Sequence, residues 1–292
     1  MGSILPKPTT RCLLIARLFD MNSPNSTSIV LIFGPFDPTG SDGLPADAIT
    51  CAALGGHALA TLTAITIQDS AETEAVLPCP AEQIDDQARC LLEDIPVQAI
   101  KVGQLSSVEA ASAVAQIAAD YSQVPLVLHL GQQEIDTEEV SEDEDDVQDL
   151  IGAVIELLVP QAQVVVVDGK RLSQWVTEDL LEASDQTAGP QALQAIGASW
   201  VLVIGHQQRP GHQVNILLGP QNETISWPWI APPDRLRDSG GLVATALATL
   251  LAQGLNVPEA AQQACRHAER AVAQSFQPGM GNRIARRLAL GA

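Results

Sequence analysis

The stretch S28IVLIFGPFDPTGSDGLPADAITCAALGG56 decides the fold. It begins as an apolar run ending at Gly34, passes through a stretch rich in Gly, Pro and Asp, and from Asp42 places its apolar residues at helical spacing. That is a strand, a loop and a helix in succession. The alternation continues along the chain. Strand-like runs stand at A58LATLTAI65, V97QAIKV102, P125LVLHL130, Q163VVVVD168 and S199WVLVI204. Helical patterns run from Pro80 to Leu92 and over V108EAASAVAQIAAD120 and V147QDLIGAVIELL158, while T66IQDSAETEAVL77 reads as a β excursion. H212QVNILL218 and E223TISWPW229 read as an antiparallel pair joined by G219PQN222. Two Ala-rich helices follow, from about Gly241 to Gln253 and from Val257 to Gln274. Short apolar strands alternating with long helices predict an α/β chain with a mostly parallel central sheet covered on both faces.

With 292 residues, the chain is long enough for one large α/β domain or two smaller ones. The reading adopted is an N-terminal extension over 1–27, poorly ordered, and a single domain over 28–292. Hydrophobic residues make up 46% but aromatics only 3%, so the core is expected to be Ala, Leu, Val and Ile. A formal net charge of −20 argues against nucleic acid or an anionic membrane surface as partner. Much of that charge sits in E134IDTEEVSEDEDDVQD149, read as a solvated loop entering a helix. Cys12, Cys51, Cys79, Cys90 and Cys265 are dispersed and form no C-x-x-C pair, which points to neither a zinc site nor a disulfide framework. The apolar C12LLIARLF19 is interrupted by Arg17, so no secretion signal or membrane span is read and a cytoplasmic location is expected.

In open α/β sheets a ligand sits beyond the C-terminal ends of the strands, where loops feed helix N-termini. Three segments reach that rim. In G34PFDPTGSDGLPAD47 the glycines Gly34, Gly40 and Gly43 permit close backbone approach and Asp37 is a candidate polar anchor. In K101VGQL105, Gln104 is placed to project into a cleft. In D238SGGLVATALATLL251, the N–H groups of Ser239, Gly240, Gly241 and Leu242 are the candidate anion hole at a helix start. The plainer reading of that stretch makes Asp238 or Ser239 a helix cap and the glycines fillers of a tight turn. His129 and His206 end strands at the same rim, but no triad or metal site can be assembled around them.

Taken in order, these segments resemble the hydroxymethylpyrimidine/phosphomethylpyrimidine kinases of thiamine biosynthesis, in the ribokinase-like superfamily. F33GPFDPTGSDGLPAD47 is similar to the family's A-G-x-D-P-[ST]-G-G-A-G-x-Q-A-D loop. G56HALATLTAITIQD69 resembles its T-A-x-T-x-Q-[DN] segment, I100KVGQL105 its K-[IV]-G-M-L, and F276QPGMGNRI284 a C-terminal segment of some members. The resemblance implies a ribokinase-like three-layer αβα sandwich, a homodimer, a small-molecule ligand such as a pyrimidine, and ATP with Mg²⁺ for an active member. It also exposes departures. The family's pyrimidine-binding Gln falls at Pro45 and its Met at Gln104, while H129LGQ132 stands where the family has D-P-V-M. The T-P-N-x-x-E segment that organises metal and phosphates falls on V167DGKRL172, putting Gly169 and Leu172 at its Asn and Glu. A strand-end Lys falls at Ile204, and the catalytic Cys of G-T-G-C, Asp in many superfamily members, falls at Leu242. Three readings follow: a homologue with lost or weak phosphotransfer that binds a small ligand; an active kinase with Asp238 or a rim histidine as substitute base; and a non-catalytic scaffold.

Overall fold

The computed structural model describes residues 27–131, 144–181, 189–209 and 212–288. Residues 1–26 of the expected extension, Cys12, Gln132 and the acidic stretch 134–143 lie outside them. The strands are β1 (Ser28–Phe36), β2 (Gly56–Gln68), β3 (Thr73–Pro78), β4 (Ala99–Val102), β5 (Leu126–Leu130), β6 (Val164–Asp168), β7 (Trp200–Arg209), β8 (His212–Leu218) and β9 (Thr224–Pro228). The helices are α1 (Gly43–Ala53), α2 (Ala81–Asp94), α3 (Val108–Asp120), α4 (Glu144–Leu158), α5 (Gly169–Thr177), α6 (Gly189–Ile196), α7 (Ser239–Ala252) and α8 (Val257–Ala273). All nine strands form one sheet in the order β3-β2-β1-β4-β5-β6-β7-β8-β9. Its middle is parallel, and β3, β8 and β9 join as antiparallel neighbours.

The apolar strands are continuous because both faces are covered. In β1, Leu31 and Phe33 enter one buried cluster and Val30 and Ile32 the other. In β6, Val165 and Val167 part from Val164 and Val166 in the same way. Residues of α2, α3 and α4 fill the first cluster, and those of α7 and α8 dominate the second, giving the three-layer αβα sandwich. Helix α7 is buried from Gly241 through Leu251. A helix apolar on every side is an interior helix, and this one carries its N-terminus to the C-terminal edge of the sheet.

Two local features differ from the sequence reading. The excursion after residue 65 is a long strand with an antiparallel return, turned at Asp69, whose carboxylate accepts from Ala71 N at 2.6 Å and Glu72 N at 3.1 Å. Helices α5 and α6 were absent from the predicted pattern. Each is too short for apolar periodicity to stand out, although Asp168 caps α5 by accepting from Lys170 N at 2.8 Å and Arg171 N at 3.3 Å.

Candidate functional site

Strand β1 has β2 on one side and β4 on the other, so the chain reverses its direction of winding there. The crevice at such a point is where open α/β sheets take ligands. A cleft of about 300 Å³ opens there, lined on one side by the β1–α1 loop and on the other by the start of α5, with the α7 N-terminus and the β2–β3 hairpin at its mouth.

The loop after β1 is shaped by Asp37. Its carboxylate accepts from Thr39 N at 2.7 Å, Thr39 Oγ1 at 2.8 Å, Ser41 N at 3.1 Å, Ser41 Oγ at 2.7 Å and Asp42 N at 2.9 Å. Burial opposes its charge, but the Ser41 and Thr39 hydroxyls and the backbone N–H groups prevail and hold its pKa below the ordinary value. The expected ligand anchor therefore spends its acceptor capacity on its own loop. Gly40 and Gly43 have φ of 67° and 60°, and a Cβ at residue 43 would run into the Pro35 carbonyl. Gly43 lines the cleft; Gly34 lies below it, against Leu44. Gln104 also lines the cleft, and its carbonyl accepts from Thr63 Oγ1 at 3.2 Å.

Beneath lies a buried network of charges. Lys101 Nζ pairs with Asp47 Oδ2 at 2.7 Å, and Thr245 Oγ1 donates to Asp47 Oδ1. Burial opposes the Lys101 charge, yet Asp47, Asp238 and Asp42 keep its pKa above the ordinary value. Arg287, near the end of the described chain, pairs with Asp238 Oδ2 at 3.0 Å and donates to Ser41 O at 2.8 Å and Thr50 Oγ1 at 3.1 Å. Asp238 itself sits in the left-handed region at φ 54° and caps α7, accepting from Gly241 N at 2.7 Å. Both its oxygens are engaged, and burial pushes its pKa up against the pull of Arg287.

The two glycines of S239GGL242 have a specific use. A Cβ at Gly241 would strike the Asp238 carboxylate, and one at Gly240 would lie 2.5 Å from His129 Nε2. Neither has positive φ, so they serve close approach rather than turn conformation. Of the four N–H groups in the expected anion hole, Gly241 donates to the cap and Leu242 to Asp238 O at 3.4 Å. Ser239 and Gly240 retain theirs among the described residues. His129 faces this helix start from β5 and lines the cleft. Burial, reinforced by Lys101, lowers its pKa to about 4, so it is neutral near pH 7. His206 is not among the cleft-lining residues, and burial lowers its pKa as well.

The model of the family described as phosphomethylpyrimidine kinase matches residues 37–285. The chain belongs to the phosphomethylpyrimidine kinase family. It is 29% identical over 264 residues to a hydroxymethylpyrimidine/phosphomethylpyrimidine kinase of Streptomyces coelicolor, covering 88% of this chain and 93% of that one. Its fold is similar to that of Bacillus subtilis pyridoxal kinase, solved as an ADP complex, with a TM-score of 0.76, 23% identity, and coverage of 91% and 99% of the two chains. Clostridium difficile phosphomethylpyrimidine kinase gives 0.69 and 22%, over 84% and 100%. These likenesses show the ribokinase-like fold.

Against that family the altered positions acquire a physical meaning. Leu242 is 0% exposed, Leu172 2% and Ile204 7%. Each belongs to an apolar cluster flanking the sheet, so three positions where the family resemblance implies polar chemistry are core here. Pro45 does not line the cleft. Gly169 and Leu172 offer no side-chain oxygen to a divalent cation where the resemblance implies Asn and Glu. Among the described residues no group of three or more His, Cys, Asp or Glu could hold a metal ion.

The structure adds residues that sequence reasoning missed. Lys170 and Arg171 line the cleft at the start of α5 with no hydrogen-bond or ion-pair partner for their side chains among the described residues. Arg237 lines it too and donates to Thr73 Oγ1 at 2.9 Å. A Lys-Arg pair two residues after a strand-ending Asp was the available signal. Reading that segment only for the missing Asn and Glu concealed it.

Proposed function

We propose that this member of the phosphomethylpyrimidine kinase family has lost most or all phosphoryl transfer and retains the cleft as a binding site for a small, pyrimidine-like molecule. The burial of Leu242 carries this reading. Phosphoryl transfer to a hydroxyl needs a group that takes the proton and donors that hold the transferring charge. Leu cannot take a proton, and Asp238 could do so only by giving up Arg287. Loss of a general base costs about 10²–10⁴-fold, and the apolar residues at 172 and 204 remove further groups.

The cleft itself supports ligand binding. Its lining includes the cations Lys170 and Arg171, the carboxylate of Asp42 and the unused N–H groups of Ser239 and Gly240 at the start of α7. The residues fit an anionic group, such as a phosphate, at Lys170 and Arg171. The phosphates of a nucleotide are compatible with that pair. A homodimer belongs to this reading, supported by Ile65, Ile67 and Leu77, which stand 44%, 47% and 51% exposed on the β2–β3 hairpin. A cytoplasmic location is supported by the free state of Cys51, Cys79, Cys90 and Cys265. No helix among the described residues is long and apolar enough to cross a membrane.

The test is turnover with ATP and either hydroxymethylpyrimidine or its monophosphate. The expected rate lies well below about 1 s⁻¹, the lower end of the ordinary kinase range of about 1–100 s⁻¹. A rate at or above that end would overturn the loss of transfer.

A further inference from the structure

The segment F276QPGMGNRI284 has no part in the chemistry of the cleft, yet it folds into a small body beside it. Phe276 N donates to Ile284 O at 3.0 Å and Ile284 N to Phe276 O at 2.8 Å, so the segment closes on itself. Within it, Gln277 Nε2 donates to Gly281 O at 3.0 Å. A compact surface loop whose ends meet is an Ω-type loop.

This loop touches two walls of the cleft. Its tip rests on the turn of the β2–β3 hairpin, where Gly281 N donates to Ser70 Oγ at 3.3 Å and Asn282 N donates to Ser70 O. Its base is joined to the segment that leads into α7, with Arg283 N donating to Arg235 O at 2.7 Å and Arg237 N to Arg283 O at 3.3 Å. Thr66 and Gln68 of the hairpin, Leu236 and Arg237 of the second segment, and Asn282 of the loop all line the cleft. The seat on Ser70 is shaped for glycine. A Cβ at residue 281 would stand 2.2 Å from the Ser70 carbonyl, and one at residue 279 would stand 2.7 Å from Ser70 Oγ. Neither glycine has positive φ, so close approach alone accounts for them.

We propose that residues 276–284 form a clasp, which opens locally by releasing Ser70 and thereby sets how fast the cleft exchanges its small molecule. The proposal rests on the reading that the cleft binds one. Local opening is easiest where few apolar groups are buried, and residues 276–280 are all exposed. The chain just beyond is held differently. Ala285 and Arg287 are buried, Arg286 N donates to Ala271 O at 3.0 Å, and Arg287 is fixed to Asp238, Ser41 and Thr50. The loop can therefore leave the hairpin while the end of the chain stays anchored under the cleft. Such motions set the rate of ligand exchange in many binding sites.

Hydrogen exchange tests the opening without any ligand. The amides of Asn282, Arg283 and Ile284 are each hydrogen-bonded, yet they should exchange at least about 100-fold faster than the interior amides of α8. Exchange as slow as that of α8 would mean that the loop opens only with the whole fold, which overturns the proposal. Gly281→Ala puts a methyl group against the Ser70 carbonyl and should speed the three amides about tenfold or more. No acceleration would equally overturn it.

A reversible cross-link tests the consequence. A Cβ at residue 279 would lie 3.6 Å from Ser70 Cβ, within the roughly 3.5–4.5 Å that a disulfide spans. The double variant Ser70→Cys with Gly279→Cys is compared oxidised and reduced, with the unmodified chain as control for its own cysteines. Oxidation should slow exchange at 282–284 by at least about tenfold more than it slows α8. It should also slow both association and dissociation of hydroxymethylpyrimidine about tenfold or more, leave Kd within about threefold, and be undone by reductant. Binding rates unmoved by oxidation would overturn the clasp. Absence of hydroxymethylpyrimidine binding in every form would instead remove the small-molecule reading, and the exchange results would then decide alone whether the loop is a clasp.

Discussion

Replacing Arg287 with alanine is expected to destabilise the protein by about 3–5 kcal/mol at neutral pH, the usual consequence of leaving one partner of a buried ion pair alone. Arg287 is 3% exposed, and its guanidinium is the counter-ion of Asp238 and a donor to Ser41 O and Thr50 Oγ1. At about 2–4 °C per kcal/mol for a chain of this size class, the melting temperature should fall by roughly 6–20 °C. The pH dependence identifies the cause. Without Arg287 the buried Asp238 carboxyl has its folded pKa raised still further above the unfolded value, so the deficit grows as pH rises through neutrality and shrinks toward pH 4. Urea midpoints at about pH 7.5 and pH 4.5 measure this. The double variant Arg287→Met with Asp238→Asn should regain most of the loss, because it removes both charges and fills the space. If the single variant loses less than about 1 kcal/mol at pH 7.5, the pair is not a structural tie between the C-terminal segment and the cleft.

The pair also marks what sequence reading reached. The α/β class, the rim segments and the exact span of α3 were legible, because Ser107 caps a clean helical pattern and the apolar strands run in series. Partnerships were not. Asp238 meets Arg287 across 49 positions, Lys101 meets Asp47 across 54, and Thr245 meets Asp47 across 198. Nothing local in D238SGG241 announces an arginine. Asp37 was read as a candidate polar anchor because it sits in a Gly-rich loop; it lines the cleft and also bonds the backbone just after it, which the loop sequence alone does not separate. Gly240 and Gly241 suggested a turn or a nest, but the reason for both is the approach of His129 and the Asp238 carboxylate. Side-chain volume from distant segments governs these choices, and no window of sequence contains it.

Leu242→Asp places at this position the acid that the family resemblance implies there for many ribokinase-like proteins, and it is expected to support no phosphoryl transfer while costing about 5 kcal/mol or more of stability. Leu242 is 0% exposed in the layer that joins the sheet to α7 and α8. Losing its buried side chain costs about 2–5 kcal/mol, and an unpaired carboxylate placed in that layer adds a further few. Whole domains hold only about 5–15 kcal/mol, so the variant should be largely unfolded or should melt far below the parent. Its loss should be greatest above neutral pH and partly relieved near pH 4, where the buried carboxyl is protonated and the unfolded one about half protonated. Leu242→Cys is the gentler test, with an expected loss of about 1–3 kcal/mol and a folded product. Even then the thiol should be inert. Cys265 lies in the same apolar layer, and burial pushes its thiol up to about 12, so a second cysteine there would remain protonated and unable to accept a proton near pH 7. Turnover in both variants, measured with ATP and hydroxymethylpyrimidine beside denaturant midpoints, tests the proposed loss of transfer. A gain of about 10²-fold or more in either variant would mean that residue 242 reaches the cleft and that one substitution silenced an otherwise complete kinase. No gain in a folded Leu242→Cys protein is the expected result, because residue 242 lies in the core while the helix start at Ser239 and Gly240 lines the cleft.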